Sequence, residues 1–313
     1  MADASDTPVK APTDDALYVY GLSLVFASAI AFSLGGVFMR SIETQVWNVL
    51  FWRGTFSAII LSTAVAIRSR GKVIPAYQAI GRPGLIMACC AALAMTCFLT
   101  SISLTTVANN SIIYATAPFL TAALAFIVSR EKPGLTTIVA AVLAMCGVVI
   151  TVAGATGHGD IRGDILAVGM TIFGSVSPVI VRKYRDIPML PASSLSALLV
   201  AINALVLSRV LGHPATPFSV GWPDIGILFL FSLCQQSLGH LMYTMGARYI
   251  PSAHTALIYT LEAVLGPFWV WLVYRENPGQ AAFLGGLIVI SAVVGHVIIT
   301  TGLLKRWRGG SRS

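Results

Sequence analysis

One carboxylate stands well inside the long apolar runs of this chain, and it belongs to Glu262. An ionisable side chain within a membrane helix is costly, so each one is a candidate for function. Tyr259, Thr255 and His254 lie one to two helical turns before it, on or near the same face. Glu262 could bind a substrate ammonium group or carry a coupled proton. The alternative is a protonated carboxyl that is hydrogen-bonded between packed helices.

A second set of polar residues lies in the preceding apolar run. Gln236, His240 and Tyr243 follow the spacing i, i+4, i+7, which predicts a polar stripe on one helix face. A stripe facing lipid would be heavily penalised, so we expect it to face a neighbouring helix or a cavity. A single histidine is more often a hydrogen-bonded packing residue than a proton carrier, and cavity lining is therefore the interpretation of the stripe.

Arg53 is the basic residue that falls inside an apolar run. It lies about seven residues into that run, which places it roughly 10 Å below the surface by the helical rise. Its guanidinium could attract a substrate carboxylate. It could equally extend to the membrane interface, and the residues alone favour this structural interpretation. Arg53 is kept as a candidate binding residue.

The composition indicates a membrane protein embedded in a lipid bilayer. Of the 313 residues, 56% are hydrophobic and only 10% are charged, with a mean hydropathy of +0.82, whereas soluble domains carry about a quarter charged residues. The five cysteines lie in apolar runs without ligand spacing, so neither disulfides nor a metal site is expected. No cofactor motif is present, and the net charge of +8 is explained by membrane orientation rather than by nucleic acid.

A membrane-spanning helix needs roughly 20 mostly apolar residues, and this criterion predicts ten spans. These are Leu17–Met39, Val46–Ile67, Gly84–Thr105, Ala108–Ser129, Leu135–Ala155, Asp164–Val181, Met189–Leu211, Asp224–Ala247, Ser252–Tyr274 and Gln280–Leu304. Alternating the loops between the two sides places fifteen Lys and Arg residues on the side of both termini and four on the other. The positive-inside rule then predicts cytoplasmic termini.

The stretch Ala108–Gly134 recurs as Ala253–Gly279, aligned without a gap and ending each time in Arg-Glu-x-Pro-Gly. The repeat predicts two halves of five helices, at 17–155 and 162–304, with a cytoplasmic tail over 1–16 and a basic tail over 305–313. Because each half has an odd number of helices, the second half enters the membrane from the opposite side, so the two halves are inverted. Inverted repeats place a binding site near the midplane. Each Arg-Glu-x-Pro-Gly ending is interpreted as the exit of one helix.

The repeat also pairs polar residues. Asn110 and Tyr114 correspond to Thr255 and Tyr259, which predicts two related polar–aromatic pairs at a site between the halves. Aromatic packing near the helix starts is the alternative. Glu262 corresponds to an alanine in the first copy, so the repeated fold itself does not require a carboxylate there.

The segment Trp52–Phe56, the two Arg-Glu-x-Pro-Gly exits and the segment Ala247–Leu257 resemble the EamA family of the drug/metabolite transporter superfamily. The resemblance implies an all-α membrane fold of ten helices, arranged as two inverted five-helix repeats around a central cavity. Its members include YddG-like exporters of aromatic and other amino acids, other metabolite exporters and drug-efflux proteins. The resemblance therefore implies an exporter in the bacterial inner membrane.

The expected function is export of small metabolites by alternating access, with aromatic and other neutral amino acids first and a broad specificity. An acid, an arginine and aromatic rings suit an ammonium group, a carboxylate and an apolar side chain. Phosphorylated substrates are disfavoured because they need paired Lys or Arg residues. Efflux of hydrophobic or cationic drugs is the alternative. A membrane-embedded enzyme is disfavoured because no catalytic motif is found. Coupling to protons and the oligomeric state stay open.

Overall fold

The computed structural model describes residues 14–105, 107–152, 160–210, 216–275 and 279–309. Over these ranges the chain is helical and contains no strand. The helices are α1 (Asp14–Ser33), α2 (Gly35–Arg40), α3 (Val46–Arg68), α4 (Val73–Gln78), α5 (Gly81–Leu104), α6 (Val107–Tyr114), α7 (Ala117–Ser129), α8 (Leu135–Val152), α9 (Ile161–Lys183), α10 (Met189–Val210), α11 (Trp222–Phe231), α12 (His240–Gly246), α13 (Ser252–Tyr259), α14 (Glu262–Tyr274) and α15 (Gly279–Gly309). A π-helix, Ser232–Gly239, joins α11 to α12.

Nine helical stretches of the described ranges are long and apolar enough to cross a bilayer. The remaining expected span is α8, which has 18 described residues and is therefore roughly 27 Å long at the helical rise. The rest of that predicted span, up to Ala155, lies outside the described residues. Large apolar side chains are exposed along these helices, with Ile67 75% and Leu135 76% accessible. Such a surface suits lipid rather than water, and the predicted all-α membrane fold is confirmed.

Two helices that the repeat relates are broken at the same position. The first break lies between α6 and α7, at residues 115–116, and the second lies between α13 and α14, at residues 260–261. Thr116, Thr260 and Leu261 keep right-handed helical backbone angles. The stretches Ile112–Ser129 and Ser252–Tyr274 therefore each remain one span, as the sequence predicts, and the structure adds an irregular turn to each. These irregular turns lie near the middle of the fourth and ninth spans, the depth at which inverted-repeat transporters place their binding site.

Threonine hydroxyls explain part of both breaks. Thr116 donates its hydroxyl to the carbonyl of Ile113, and Thr260 donates to that of Leu257, each at 2.6 Å. These side chains compete with the backbone for the carbonyls near the break. In the first copy Pro118 also lacks the N–H group that would continue the helical ladder.

The Arg-Glu-x-Pro-Gly endings close α7 and α14. Arg130 and Arg275 each adopt a left-handed conformation, with φ of 55° and 59°. Their amides bond to the carbonyls of Phe126 and Trp271, which satisfies the last turn. Both helices end where the motifs begin, as predicted, and residues 276–278 of the second motif lie outside the described residues.

The halves pack through helix pairs that are themselves repeat-related, α3 with α10 and α8 with α15. Small residues bring these backbones together. A Cβ atom on Gly54 would lie 2.6 Å from the amide nitrogen of Ala201, and one on Gly147 would lie 2.8 Å from the carbonyl oxygen of Gly285. Both contacts join the first half of the chain to the second.

The sixth span is longer and more regular than the sequence indicates. We predict Asp164–Val181, and α9 runs over Ile161–Lys183 without a break at Pro178. Asp160 caps its start by accepting a hydrogen bond from the amide of Arg162 at 2.9 Å. This cap fixes the beginning of the helix that opens the second half.

Candidate functional site

Arg53 is buried at the centre of the bundle rather than extended to the membrane surface. Its side chain on α3 is only 2% exposed. One terminal nitrogen donates to Oε1 of Gln235, and the other lies 3.8 Å from Sδ of Met95. The guanidinium carbon is 3.9 Å from the ring centroid of Phe231. The structure therefore contradicts the interfacial interpretation of Arg53 and places its charge inside the protein.

The side chain of Gln235 is held in a fixed orientation by its amide nitrogen. Its amide nitrogen donates to the carbonyl of Phe32 on α1 at 2.7 Å, so the amide oxygen is left to face Arg53. Gln235 sits in the π-helix Ser232–Gly239. Single π turns inside membrane helices alter which side chains face the interior and are frequent at functional sites.

A group of aromatic side chains lies on the second half beside α1. The hydroxyl of Tyr259 is 2.8 Å from that of Ser28. The rings of Tyr243 and Tyr259 meet edge to face with centroids 4.9 Å apart, and His240 stacks on Tyr243 at 5.9 Å. Phe32 contacts Tyr259 at 5.6 Å. The group offers hydroxyls and ring faces to the same interior region.

Glu262 is the first residue of α14, directly after the break in the ninth span. Its charge interacts electrostatically with Arg53, and with the hydroxyls of Tyr114 and Tyr259. Among the described residues the direct ion pair joins Arg182 and Glu131, not Arg53 and Glu262. The interior therefore holds one acidic and one basic side chain that interact electrostatically without a direct ion pair.

Ring contacts, hydrogen bonds and electrostatic interactions together connect six of the ten sequence-predicted site residues. They are Arg53, Tyr114, His240, Tyr243, Tyr259 and Glu262, called the central cluster from here on. Two more, Gln236 and Asn110, are buried, at 4% and 3% exposure. The side-chain oxygen of Asn110 has no hydrogen-bond partner among the described residues, and neither has Nε2 of His240.

The other two predicted residues lie elsewhere. Thr255 is fully buried and donates to the carbonyl of Pro251 at 3.4 Å, within its own helix turn. His254 belongs to a separate group at the end of the bundle where Arg182 bonds to the carbonyl of Arg248, called the basic end from here on. Neither residue joins the central cluster.

The group around His254 forms a latch between the halves. Nδ1 of His254 is 3.3 Å from the hydroxyl of Tyr18, and Nε2 is 3.1 Å from that of Thr137. Its ring meets His296 edge to face at 4.5 Å. Because Tyr18 and Thr137 come from the first half and both histidines from the second, these contacts close the basic end.

A corresponding latch closes the opposite end. Asn109, the repeat counterpart of His254, donates to Oδ1 of Asp164 at 3.2 Å, and Thr105 donates to the same oxygen at 2.6 Å. Here α6 of the first half meets α9 of the second, as α13 meets α1 at the basic end. The repeat thus conserves the position of each latch while its chemistry differs.

Several residues around the central cluster are not in the predicted set, namely Ser28, Phe32, Phe231 and Gln235. Gln235 falls outside the predicted stripe because the stripe assumes 3.6 residues per turn, which the π-helix does not have. Serine and phenylalanine in an apolar helix carry no signal that separates a site from ordinary packing. No group of three or more metal-ligating side chains occurs in the part of the chain that the structure describes.

Comparison with known proteins identifies the family. The model of the EamA-like transporter family matches residues 19–153 and again residues 161–298. The chain belongs to the EamA-like transporter family. The resemblance seen in the sequence is confirmed, and the double match agrees with two repeats that meet at the central cluster.

More distant similarities agree with this family. Human solute carrier family 35 member G1 is 21% identical over 307 residues, which cover 93% of this chain and 81% of the relative. One solved crystal structure has a TM-score of 0.73 at 14% identity and covers 92% of this chain and 98% of its own. An EamA-like chain with this fold is a membrane transporter of small substrates.

Proposed function

We propose that this EamA-like protein exports small zwitterionic metabolites, with aromatic and other neutral amino acids as the first candidates. The observation that carries the proposal is the pair of interior charges at Arg53 and Glu262, which interact without forming an ion pair. An amino acid placed between them would direct its carboxylate to Arg53 and its ammonium group to Glu262.

The surroundings of the two charges support a substrate with an apolar side chain. Tyr259 interacts electrostatically with Glu262, its ring meets that of Tyr243, and Phe231 covers Arg53. Aromatic rings bind both apolar groups and ammonium groups. Glu262 is also the candidate for the proton that would couple export to a gradient.

Alternating access is supported by the two latches. One latch joins His254 to Tyr18 and Thr137, and the other joins Asn109 to Asp164, at opposite ends of the same bundle. Opening either latch while the other stays closed would expose the central cluster to one side at a time. Repeat-related latches provide this alternation because each half can adopt the arrangement of the other.

Efflux of hydrophobic cations is the second candidate function. Glu262 with Tyr114 and Tyr259 would suit an organic cation, through charge and ring faces. The buried positive charge of Arg53 opposes a ligand that carries no anionic group. Arg53 therefore favours zwitterions over pure cations as substrates.

The charge distribution supports a location in the bacterial inner membrane with both termini in the cytoplasm. Under this proposal the basic end faces the cytoplasm, because its loops carry most of the Lys and Arg residues. The proposed halves are 17–155 and 162–304. Reporter fusions at the C-terminus test the orientation, and an external C-terminus would contradict it.

Uptake into proteoliposomes tests the function. Purified protein is reconstituted, and labelled phenylalanine and a cationic dye are compared at two pH values. The proposal predicts protein-dependent transport of phenylalanine. Transport of the dye alone would favour the second candidate.

A further inference from the structure

A groove of about 350 Å³ runs along the lipid-facing side of the first half, between α7 and α8 at the basic end. It is lined by Phe119, Ala122, Ala123, Phe126, Pro133 and Ile138. Phe126 and Ile138 are each 41% exposed, and the groove is flanked by the exposed side chains of Ile127 and Leu135. The lining is apolar and faces the bilayer, and the central cluster takes no part in it.

The repeat shows how the lining of the groove differs from the corresponding positions of the second half. Ala123, Phe126 and Ile138 correspond to Phe268, Trp271 and Phe283 in the second half. There the ring of Trp271 meets those of Phe268 and Phe283, with centroids 5.9 Å apart in both cases. Large rings occupy the space that alanine leaves open in the first half.

Basic side chains stand at the mouth of the groove. Arg130 ends α7 and lies 5.9 Å from the ring of Phe126, and Lys132 directly precedes the lining residue Pro133. Both are exposed. The neighbouring carboxylate of Glu131 is paired with Arg182 at 3.3 Å, so it does not neutralise them. The repeat counterpart of Lys132 is Asn277, so this charge is present in the first half and not at the corresponding position of the second.

We propose that this groove binds an anionic phospholipid, with an acyl chain along α7 and α8 and the headgroup at Arg130 and Lys132. Two features of the site indicate such a lipid. The groove is apolar and open to the membrane, and the residues at its mouth carry a surplus of positive charge at the level of the headgroups. Juxtamembrane basic residues attract anionic lipids in this manner. The site is independent of the proposed substrate and of the direction of transport.

Native mass spectrometry of the purified protein in detergent tests the proposal. The protein is titrated with phosphatidylglycerol and with phosphatidylcholine of identical acyl chains. We expect phosphatidylglycerol to bind more tightly, and we expect Lys132→Asn to weaken it by about five-fold, the effect of one basic residue near a membrane surface. The same variant should leave phosphatidylcholine unchanged.

Filling the groove tests where the lipid binds. Ala123→Phe and, separately, Ile138→Phe copy residues of the second half and should each remove the tightest phosphatidylglycerol. Ile59→Phe is the matched control, because Ile59 is 58% exposed on α3, away from the groove. Retention of that lipid by both filled variants would overturn the proposal, as would equal binding of the two lipids. A dimer that Ala123→Phe dissociates would show that a second copy of the chain covers the groove instead.

Discussion

Arg53 in the first half of the chain donates a hydrogen bond to the amide oxygen of Gln235 in the second half. The bond lies between α3 and the π-helix, and Gln235 is tied in turn to the backbone of Phe32 on α1. A buried guanidinium needs such partners, since an uncompensated buried charge is strongly destabilising. The relationship therefore fixes the interior positive charge where the two halves meet.

Replacing Gln235 by leucine should destabilise the protein. The change leaves Arg53 without its oxygen partner, and a hydrogen bond to a charged group contributes about 1.5–3 kcal/mol. We expect the melting temperature in detergent to fall by several degrees. Gln235→Glu is the matched control, because it supplies an acceptor of the same size, and it should retain more stability than leucine. Equal melting temperatures for the wild type and the leucine variant would contradict this role.

Glu262→Gln should lower amino acid export by roughly ten-fold or more, because the loss of one partner of a buried charged interaction costs about 2–5 kcal/mol. If Glu262 carries the coupled proton, export by the variant also becomes independent of pH, since glutamine does not titrate. Initial rates in proteoliposomes at two pH values measure both effects. Glu43→Gln serves as the control, because Glu43 is exposed and lies outside the spans. Unchanged rates and pH dependence would make Glu262 a packing residue.

Alanine at two repeat-related glycines should open opposite ends of the transporter. A Cβ atom on Gly21 would lie 2.7 Å from Cβ of Tyr249, and one on Gly163 would lie 2.6 Å from Cβ of Thr105. Both distances are too short for a Cβ atom. In the Gly21 variant, α1 must therefore move away from the loop after α12, at the basic end. In the Gly163 variant, α9 must move away from the end of α5, at the opposite end.

Thiol labelling in a background free of native cysteines measures the two openings. Gly21→Ala should raise labelling of a cysteine that replaces Ala247, and Gly163→Ala should raise labelling of one that replaces Ser101. Both probe positions are fully buried in the structure. Each glycine variant is the control for the other, and an identical labelling pattern in both would contradict separate openings at the two ends.

Gly285→Ala should destabilise the contact between α8 and α15. Its Cβ atom would lie 2.3 Å from the carbonyl oxygen of Gly147, and overpacking of this kind costs about 1–3 kcal/mol. Gly295 lies on the same helix with no atom near its Cβ position, so Gly295→Ala should be neutral or slightly stabilising. Thermal unfolding of both variants checks the pair, and equal effects would contradict the close packing.

The fold follows from the sequence because lipid imposes simple rules on it. Apolar length predicts the spans, and the exact alignment of two stretches predicts the inverted halves. The irregular turns at residues 115–116 and 260–261 do not follow, because they depend on which carbonyl oxygen receives the hydrogen bond that each hydroxyl, of Thr116 and of Thr260, donates. Thr116 could equally have bonded elsewhere in a continuous helix.

The central cluster follows from the sequence in part. Rare interior charges and polar spacing point to Arg53, Glu262, His240 and Tyr243. The same reasoning includes His254, which instead contributes to the latch at the basic end. Helix periodicity predicts which face of a helix a side chain lies on, but not how deep in the membrane it lies. It omits Gln235, because a π turn changes the periodicity itself.

We propose that Arg53 and Glu262 bind the two charges of one substrate. Competition against labelled phenylalanine in proteoliposomes tests it, with three competitors of the same aromatic group. These are unlabelled phenylalanine with both charges, its methyl ester with the ammonium group alone, and 3-phenylpropionate with the carboxylate alone. We predict that phenylalanine competes strongly and that both singly charged compounds compete weakly. Equal or stronger competition by the methyl ester would contradict the claim and identify the protein as a transporter of organic cations.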